Sequence, residues 1–580
     1  MTGGGLTACI IRESMSAVGV RQSHLCLLSV CPSLLPTGMH LESISLWVVV
    51  LGLVNHLYFN RHEPQSAILP FVLLVIEPPV FLVVFGAPIS WSGSRFLYTY
   101  VIFLSSLSLS IVLYRISPFH PLAQYPGPLI SKATRLWDLW KAYGGRKYLY
   151  HSRLHEMYGP YVRTGPNEIS ITDIDAVTQI LRHGGLNKGR YYERVRQNDI
   201  PPSIIHALGE VHTAKRRVWN RALNPTAMHD HEPLIAKRAT QFVSRLKEHG
   251  TVDIGCWLDM LTFDIMGDVT FGGGFEMLRE GRDANGVGER IRAFLTVGNL
   301  LAQIPWIMKP VGLIPGVGQA VNEFDKFAQD LAVQRAKNGA AGRKDLWYYI
   351  ADEADLEQEK PTLQIAAADS FVAVIAASDT TAYTLTSAIW LLLSNPACYQ
   401  RVQQEIDSVI ANGDDPFDAN KHRELHYLSG CINETLRLHP ALPSNGGTRQ
   451  VRLEQPGRFI SGRYFPPGTN VSVATHSIHR NPDYFSHPSR FLPERWLADS
   501  KLEKHEPSAF IPFSLGPANC AGQKFAMREM FGVLCALFKS FEMKFADGFD
   551  GEEWPRSIKE IFVVARGSLM VTLTPRNHAI

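Results

Sequence analysis

The stretch Phe96 to Tyr114 carries no charge and is long enough to cross the hydrocarbon core of a bilayer. Such a segment has to be helical, because lipid offers no partner to backbone N–H and C=O groups. Two apolar stretches precede it: Ile44 to Phe59, which contains Asn55 and His56, and Ala67 to Phe85, which is interrupted by Glu77-Pro78-Pro79. One to three spans are therefore expected in a membrane-anchor region over 39–115. Arg115, Lys132, Arg135, Lys141, Arg146 and Lys147 come next, a positive bias that puts the adjoining domain on the cytoplasmic side. Residues 1–38 are rich in Gly, Ser and Cys without periodicity and read as an unstructured extension, with Met39 as the expected start. Residues 116–128 include Pro118, Pro121, Pro126 and Pro128, a proline density that cannot continue a helix and predicts a stiff hinge.

The remainder of the chain, 129–580, has the length of a large folded domain. With 46% hydrophobic and 19% charged residues overall, the chain is neither disordered nor a disulfide scaffold. A formal charge of +3 on 580 residues, with basic residues scattered, gives no reason to expect nucleic acid as a partner. The eight cysteines contain no C-x-x-C pair and no zinc spacing, which favours a reducing compartment.

One of those cysteines stands apart. Cys520 lies in Phe513-Ser514-Leu515-Gly516-Pro517-Ala518-Asn519-Cys520-Ala521-Gly522, directly ahead of the helix-forming run Gln523 to Met530. A cysteine between glycines at a helix start faces exposed N–H groups and a positive dipole end, and both favour thiolate. That makes a seat for a soft metal ion, although a lone cysteine is far more often a small buried hydrophobe.

Three more motifs precede it in order. Ala376-Ala377-Ser378-Asp379-Thr380-Thr381 is a small-residue and polar helix segment, Glu434-Thr435-Leu436-Arg437 is an E-x-x-R tetrapeptide, and Phe491-Leu492-Pro493-Glu494-Arg495-Trp496 carries a second arginine. Each alone is weak. Together, in this order and spacing, the chain from roughly Tyr125 onward resembles the cytochrome P450 haem-thiolate monooxygenases, and within them the fungal, basidiomycete-type microsomal members.

The resemblance implies a cytochrome P450 fold, mainly α with a small β part, behind N-terminal transmembrane helices. It implies haem b with Cys520 as the axial thiolate, a ligand that pushes electron density onto iron and favours O–O cleavage. Phe513 would cover the proximal haem face, and Gly516 and Gly522 would let the backbone turn close to the sulfur. Glu434 and Arg437, on one helix face, would join Arg495 in a trio bracing the cysteine loop. Asp379 and Thr380 would be catalytic, since cleaving an O–O bond consumes protons that an acid and an alcohol can deliver. The chain departs from the family at Ala518, where a cation normally meets a haem propionate; His212, Arg216 and Arg449 match the other propionate contacts.

No nicotinamide or flavin domain is recognisable, and the glycine cluster Gly312 to Gly318 lacks the strand–helix context of a dinucleotide site. The resemblance then implies electrons from NADPH-cytochrome P450 reductase, docking near Lys215, Arg217, Arg221 and Lys524, with cytochrome b5 as a further partner, at the endoplasmic reticulum membrane. The apolar stretch Ile291 to Pro315, with Phe294, Leu300, Leu301, Ile304, Trp306, Ile307 and Leu313, falls where the family admits substrate. Phe371, Val374, Leu442, Ile561 and Phe562 would line the pocket. A lipophilic substrate is implied, either a terpenoid or other secondary metabolite or a polycyclic aromatic xenobiotic. Two rivals stay open: a haem-thiolate isomerase or dehydratase that uses no O2, and a non-catalytic membrane haem protein.

Strands are expected at Pro160 to Thr164 and Glu168 to Ile171 as a hairpin, at Gly468 to Ala474 after a Pro-Pro-Gly turn, and at Ile561 to Val564 and Leu569 to Leu573 as a second hairpin around Ala565-Arg566-Gly567-Ser568.

Overall fold

Helix-forming runs interrupted by capping residues give a chain of helices with short strands between them. The computed structural model describes residues 41–62, 68–85, 92–189, 192, 202–303, 317–339, 342 and 344–576. The expectations for 1–38 and Met39, for Ile304, Trp306, Ile307 and Leu313, and for the glycine cluster through residue 316 lie outside the described residues. So does the side chain of Leu301. The chain divides into two units, Met1–Val112 and Leu113–Ile580.

The first unit contains the helices α1 (Leu41–Arg61) and α2 (Ile68–Phe85) and most of α3 (Gly93–Ile116). All three are long and apolar enough to cross a membrane. The proline pair does not break α2: a wide turn over Val72–Ile76 precedes Glu77 and the helix continues to Phe85. Ile44, Val48, Phe103 and Leu107 pack between α1 and α3, and Gly52 lets the two approach, since a Cβ there would lie 2.3 Å from Ser106 Oγ. Asn55 donates to Glu77 at 2.8 Å, and His56 lies 2.7 Å from Ser110 Oγ, so polar groups in these apolar helices meet one another. Leu53, Leu57, Phe71, Val84, Leu97 and Leu109 face outward and are exposed, the reverse of a water-soluble bundle.

In the second unit the helices that matter for the site are α4 (Gly209–Ala222), α5 (Pro225–Leu246), α6 (Ile254–Phe271), α7 (Val287–Ala302), α8 (Val317–Asn338), α9 (Leu363–Leu393), α10 (His426–Leu438) and α11 (Gln523–Ser540). Their starts are legible in side-chain caps. Asn224 accepts from the Ala227 N–H with Pro225 at the first helical position, Asp253 accepts from Gly255 and Cys256, and Thr362 accepts from Ile365. Helix α9 passes through the centre and packs on α6, α8, α10 and α11. It too has the length and hydropathy of a membrane span, but 61% of its most apolar window is buried inside protein, which makes it a core helix.

A five-stranded sheet packs a second core. Its order is Tyr161–Gly165, Glu168–Ile171, Asn470–Val473, Arg449–Gln450, Asn187–Lys188, with Glu168–Ile171 and Asn470–Val473 parallel. The first expected hairpin and the later strand are present with ends shifted by a residue or more. The second hairpin is not. Lys559–Glu560 pairs with Val564–Ala565 around a turn at Phe562, whose φ is +100°, while Met570–Pro575 pairs with Phe541–Phe545 and Thr251–Asp253. Long-range pairing with Phe541–Phe545 takes the strand for which local pattern predicts a local partner.

Candidate active site

Seven residues before Cys520 the chain enters a tight loop. Ser514 and Gly516 have φ of +59° and +72°, Gly516–Ala518 form one 3-10 turn, and the Cys520 N–H donates to the Phe513 carbonyl at 2.9 Å. Gly516 cannot be replaced without strain, since a Cβ there would sit 2.0 Å from the Leu181 carbonyl oxygen. Gly522 differs from expectation. Its φ is −88° and no described atom lies within 4 Å of where its Cβ would be. Its contribution is its N–H, which bonds the Cys520 sulfur. Phe513 is half-buried against the helical core.

Cys520 is accessible from the surface, yet enough protein surrounds the thiol that desolvation raises its pKa; the Gly522 N–H and the Arg216 charge pull the other way without winning. The expected thiolate is therefore not produced by the protein alone. A metal ion deprotonates a coordinating thiol outright.

Behind the loop, Glu434 and Arg437 form a bidentate pair at 2.8 Å and 2.8 Å, both fully buried. Arg495 Nε lies 3.4 Å from the same carboxylate, the Trp496 indole N–H donates to it at 3.0 Å and the Leu492 N–H at 3.1 Å. The structure thus brings the expected trio together and adds Trp496. Arg437 also donates to the carbonyls of His479 and Pro488, each at 2.6 Å. His479 joins this group without any sequence signal. Burial first, then the Arg437 charge, hold its pKa down at about 3, so its ring stays neutral; Nδ1–H then donates to the Arg437 carbonyl at 3.0 Å and Nε2 accepts from the Ile511 N–H at 3.0 Å. Ile511 lies two residues ahead of Phe513, so this ring links α10 to the cysteine loop.

On α9, Ala376 is exposed between buried stretches of the helix, and Thr380 donates to the Ala376 carbonyl at 2.6 Å. Asp379 is 5% exposed and its Oδ2 has no hydrogen-bond partner among the described residues. Burial chiefly, and the Asp259 charge, raise its pKa to about 6, while Arg292 and Arg566 oppose the rise. These groups form a set the sequence did not reveal: Asp259 takes Arg292 at 3.3 Å and Arg566 at 2.9 Å. They come from α6, α7 and the C-terminal segment, which no local pattern connects.

Three basic side chains and a histidine that stays neutral at physiological pH gather around α4. His212 and Arg216 on α4, Arg449 on its strand and Lys188 on the adjoining strand act on one another electrostatically. Burial, then Lys188, Arg216 and Arg449, bring His212 down to about 4; burial, then Arg449, bring Lys188 down to about 7. Among the described residues no carboxylate forms an ion pair with any of the four. A cluster of partly buried positive charge without a counter-ion fits a group that brings its own carboxylates, and with the exposed Cys520 and Ala376 it fits haem. Lys188 carries no signal in sequence because a two-residue strand has no periodicity. Its amine already donates to the carbonyls of Ile204, Ile205 and Ala207.

The residues expected near the docking face differ in their surroundings. Lys215 turns inward to pair with Asp369, and Arg217 and Arg221 both pair with Glu357; of the four residues, Lys524 is exposed and without a described ion pair. The pocket lining also divides. Phe371 and Val374 are buried in the helical core, Phe371 edge-on to Phe327, whereas Leu442 and Phe562 both lie close to Gly446, and Ile561, next to Phe562 in the chain, is half-buried. Phe294 and Leu300 are half-buried on α7.

The chain that builds this site has relatives of known family. The sequence profile of the family Cytochrome P450 matches residues 131–572. Cytochrome P450 monooxygenase FCK2 of Fusarium pseudograminearum is 31% identical over 480 residues, 82% of this chain and 85% of its own. Cytochrome P450 67 of Uromyces fabae is 29% identical over 564 residues, 92% of this chain and 99% of its own. Tryprostatin B 6-hydroxylase of Aspergillus fumigatus is 28% identical over 482 residues, 82% and 84% respectively. A profile match over most of the catalytic unit, with relatives aligned nearly end to end, shows that this chain is an enzyme of the cytochrome P450 family.

Proposed function

We propose that the chain is a membrane-anchored monooxygenase that inserts one atom of O2 into a lipophilic substrate, with NADPH as electron source through a separate reductase and the endoplasmic reticulum as its site. Cytochrome b5 is a second electron donor in this reading. The observation that carries it is Asp379, a buried carboxyl without a described partner, held near neutrality beside the Thr380 hydroxyl. An enzyme that uses no O2 has no need of a proton carrier there.

Cys520 through its sulfur, His212 through hydrogen bonding, and Arg216 and Arg449 through charge would hold haem; when bound, that group supplies the activated oxygen. The chain's own residues do the rest. Asp379 exchanges protons with solvent by way of the Asp259, Arg292 and Arg566 cluster, and Arg292 is exposed enough to reach water. Thr380 passes the proton on from its place over Ala376. Leu442, Ile561 and Phe562 present apolar surface to the substrate. Exposed Phe119, Leu129, Leu136, Trp140 and Tyr143, just after α3, are apolar surface suited to a bilayer, which supports a substrate drawn from lipid. Two relatives are named for hydroxylating a secondary metabolite, tryprostatin B, which favours that substrate class over xenobiotics.

The test is turnover in yeast microsomes carrying a fungal reductase, with terpenes, indole alkaloids, steroids and polycyclic aromatics as a panel. A mass gain of one oxygen that needs NADPH and vanishes in Cys520→Ala is expected. Absence of any NADPH-dependent product, from protein whose ferrous CO complex shows thiolate-ligated haem, would favour the O2-independent rival.

Asp379 also links function to stability. Its folded pKa is raised, so the folded state holds the proton more tightly, and stability falls as pH climbs from the unfolded value of 3.8 through about 6. Asp379→Asn removes a penalty of about 3 kcal/mol at neutral pH, from roughly two pKa units at 1.36 kcal/mol each. The variant should melt higher than wild type at pH 7.5, with the gain vanishing near pH 4, and should form product at least ~100-fold more slowly. Thr380→Ala should divert NADPH electrons to hydrogen peroxide. Full coupling in both variants would remove the proton-delivery role.

A further inference from the structure

We infer that a cavity beside the C-terminal end of α10, outside the catalytic site, binds the phosphate of a monoester, and that its source is the headgroup of a membrane lipid. The cavity has a volume of about 250 Å³. It lies between the helix Lys147–Tyr158, the end of α10, the short helix Thr475–Ile478 and the turn Trp554–Ser557 with Ile558. None of its lining residues belongs to the cysteine loop, the Glu434 brace or the Asp379 cluster.

Its wall carries positive charge that the protein holds in place without neutralising. Arg480, two residues beyond the short helix, donates through Nη2 to the Leu438 carbonyl, one of those that the end of α10 leaves open. Its Nη1 is buried and has no hydrogen-bond partner among the described residues. No described carboxylate forms an ion pair with Arg480. Burial first, then the Arg437 charge, lower its pKa to about 10, which leaves it positive at physiological pH. The two acids whose charge reaches this wall are engaged elsewhere: Glu434 holds Arg437 and Arg495, and Glu560 faces Lys147. Arg146 also lines the cavity; it donates to the Arg556 carbonyl at 2.9 Å and has no described ion pair, whereas Arg556 pairs with Glu553. His439 and His476 add no charge. Burial, then Arg480, hold His439 down at about 3 and His476 well below the usual range.

Two guanidiniums without acids call for one ligand of matching charge. A phosphate monoester carries a charge of about −1.5 to −2 near neutral pH and three strong acceptor oxygens, where a carboxylate would answer only one arginine. A neutral donor completes the set. The Tyr148 hydroxyl lines the cavity without a described hydrogen-bond partner, and burial first, then the Glu560 charge, raise its pKa and keep it protonated. Leu149, Pro555 and Ile558 supply apolar wall for the alkyl part of an ester. Arg146, Leu149 and Arg556 are exposed, so the cavity opens to the surface through them. Trp140 and Tyr143, part of the exposed apolar surface suited to a bilayer, come just before Arg146 in the chain. A lipid phosphate is therefore the source that the surroundings favour over free phosphate.

The test is titration calorimetry on the full-length, haem-loaded protein in neutral detergent and phosphate-free buffer at fixed ionic strength. The probes are dihexanoyl phosphatidic acid, glycerol phosphate, inorganic phosphate and dihexanoyl phosphatidylcholine. Saturable binding is expected for the first three, tightest for phosphatidic acid, and Arg480→Gln should weaken each about tenfold or more. Unchanged binding in Arg480→Gln, or phosphatidylcholine bound as tightly as phosphatidic acid, would overturn the phosphate site. Equal affinity for phosphatidic acid, glycerol phosphate and inorganic phosphate would keep the site and overturn the lipid source. If Arg480→Gln does not fold, Leu149→Glu serves instead: it puts an acid at an exposed lining position, so binding should fall, and an unchanged affinity would again overturn the site. Binding is the readout throughout, so a failure of the monooxygenase reading would leave the result standing.

Discussion

Glu434→Ala is expected to give no haem-loaded protein. The substitution strands two guanidiniums, those of Arg437 and Arg495, in a place where neither has any exposed side-chain surface, and it removes the acceptor of the Trp496 indole and the Leu492 N–H. Removing one partner of a buried ion pair costs about 3–5 kcal/mol, and here one carboxylate serves two cations. Marginal proteins have little more than that to lose. The damage should travel along a defined route, through Arg437 and its bond to His479 and from the His479 ring to Ile511, to the base of the cysteine loop. The measurement is the ferrous CO difference spectrum of membranes matched for polypeptide by immunoblot. A wild-type thiolate band at equal polypeptide would dispose of the bracing role.

The second large effect is expected from a single methyl group. Gly516→Ala puts a Cβ 2.0 Å from the Leu181 carbonyl oxygen and 2.8 Å from its carbon, at a residue whose φ is +72°. Left-handed φ alone costs about 1 kcal/mol for alanine, and displacing a backbone carbonyl at the end of a packed helix adds about 1–3 kcal/mol more. Haem occupancy should fall at least ~10-fold, and the soluble fraction with it. Gly522→Ala is the matched control, since its φ is ordinary and no described protein atom opposes the methyl. If Gly522→Ala folds and still loses haem, the cofactor itself must lie against that position. If Gly516→Ala loads normally, the loop is more compliant than its backbone indicates.

What the sequence made legible was whatever repeats locally or sits in a short motif. The four motif segments, the helical character of the domain and three apolar helices are all of that kind, because periodicity and spacing are local properties. The misreadings are long-range. Met570–Pro575 chooses Phe541–Phe545 over its neighbour, and the Asp259, Arg292 and Arg566 cluster around Asp379 draws on three separate segments. His479 carries no motif of its own; its importance lies in having Arg437 on one ring nitrogen and Ile511 on the other. Lys215 shows the opposite error: a lysine on a basic helix reads as surface charge until a buried acid, Asp369, appears beneath it. The thiol of Cys520 goes the same way, since a helix start and a loop N–H argue for thiolate and only the folded surroundings reveal how much desolvation opposes it.

Helix α9 carries a last consequence, for the nascent chain. It has the length and hydropathy of a membrane span, and it leaves the ribosome before α10 and α11 exist to cover it. Three helices long and apolar enough to cross a membrane precede it in the chain. The only acidic or basic residues in α9 are Asp369 and Asp379, and an aspartate near the centre of a helix costs about 2.5–3.5 kcal/mol on insertion into lipid. The same two carboxyls, one of which pairs with Lys215 in the folded chain, therefore also act as a refusal code during synthesis, making insertion of the central helix of the enzyme into lipid costly.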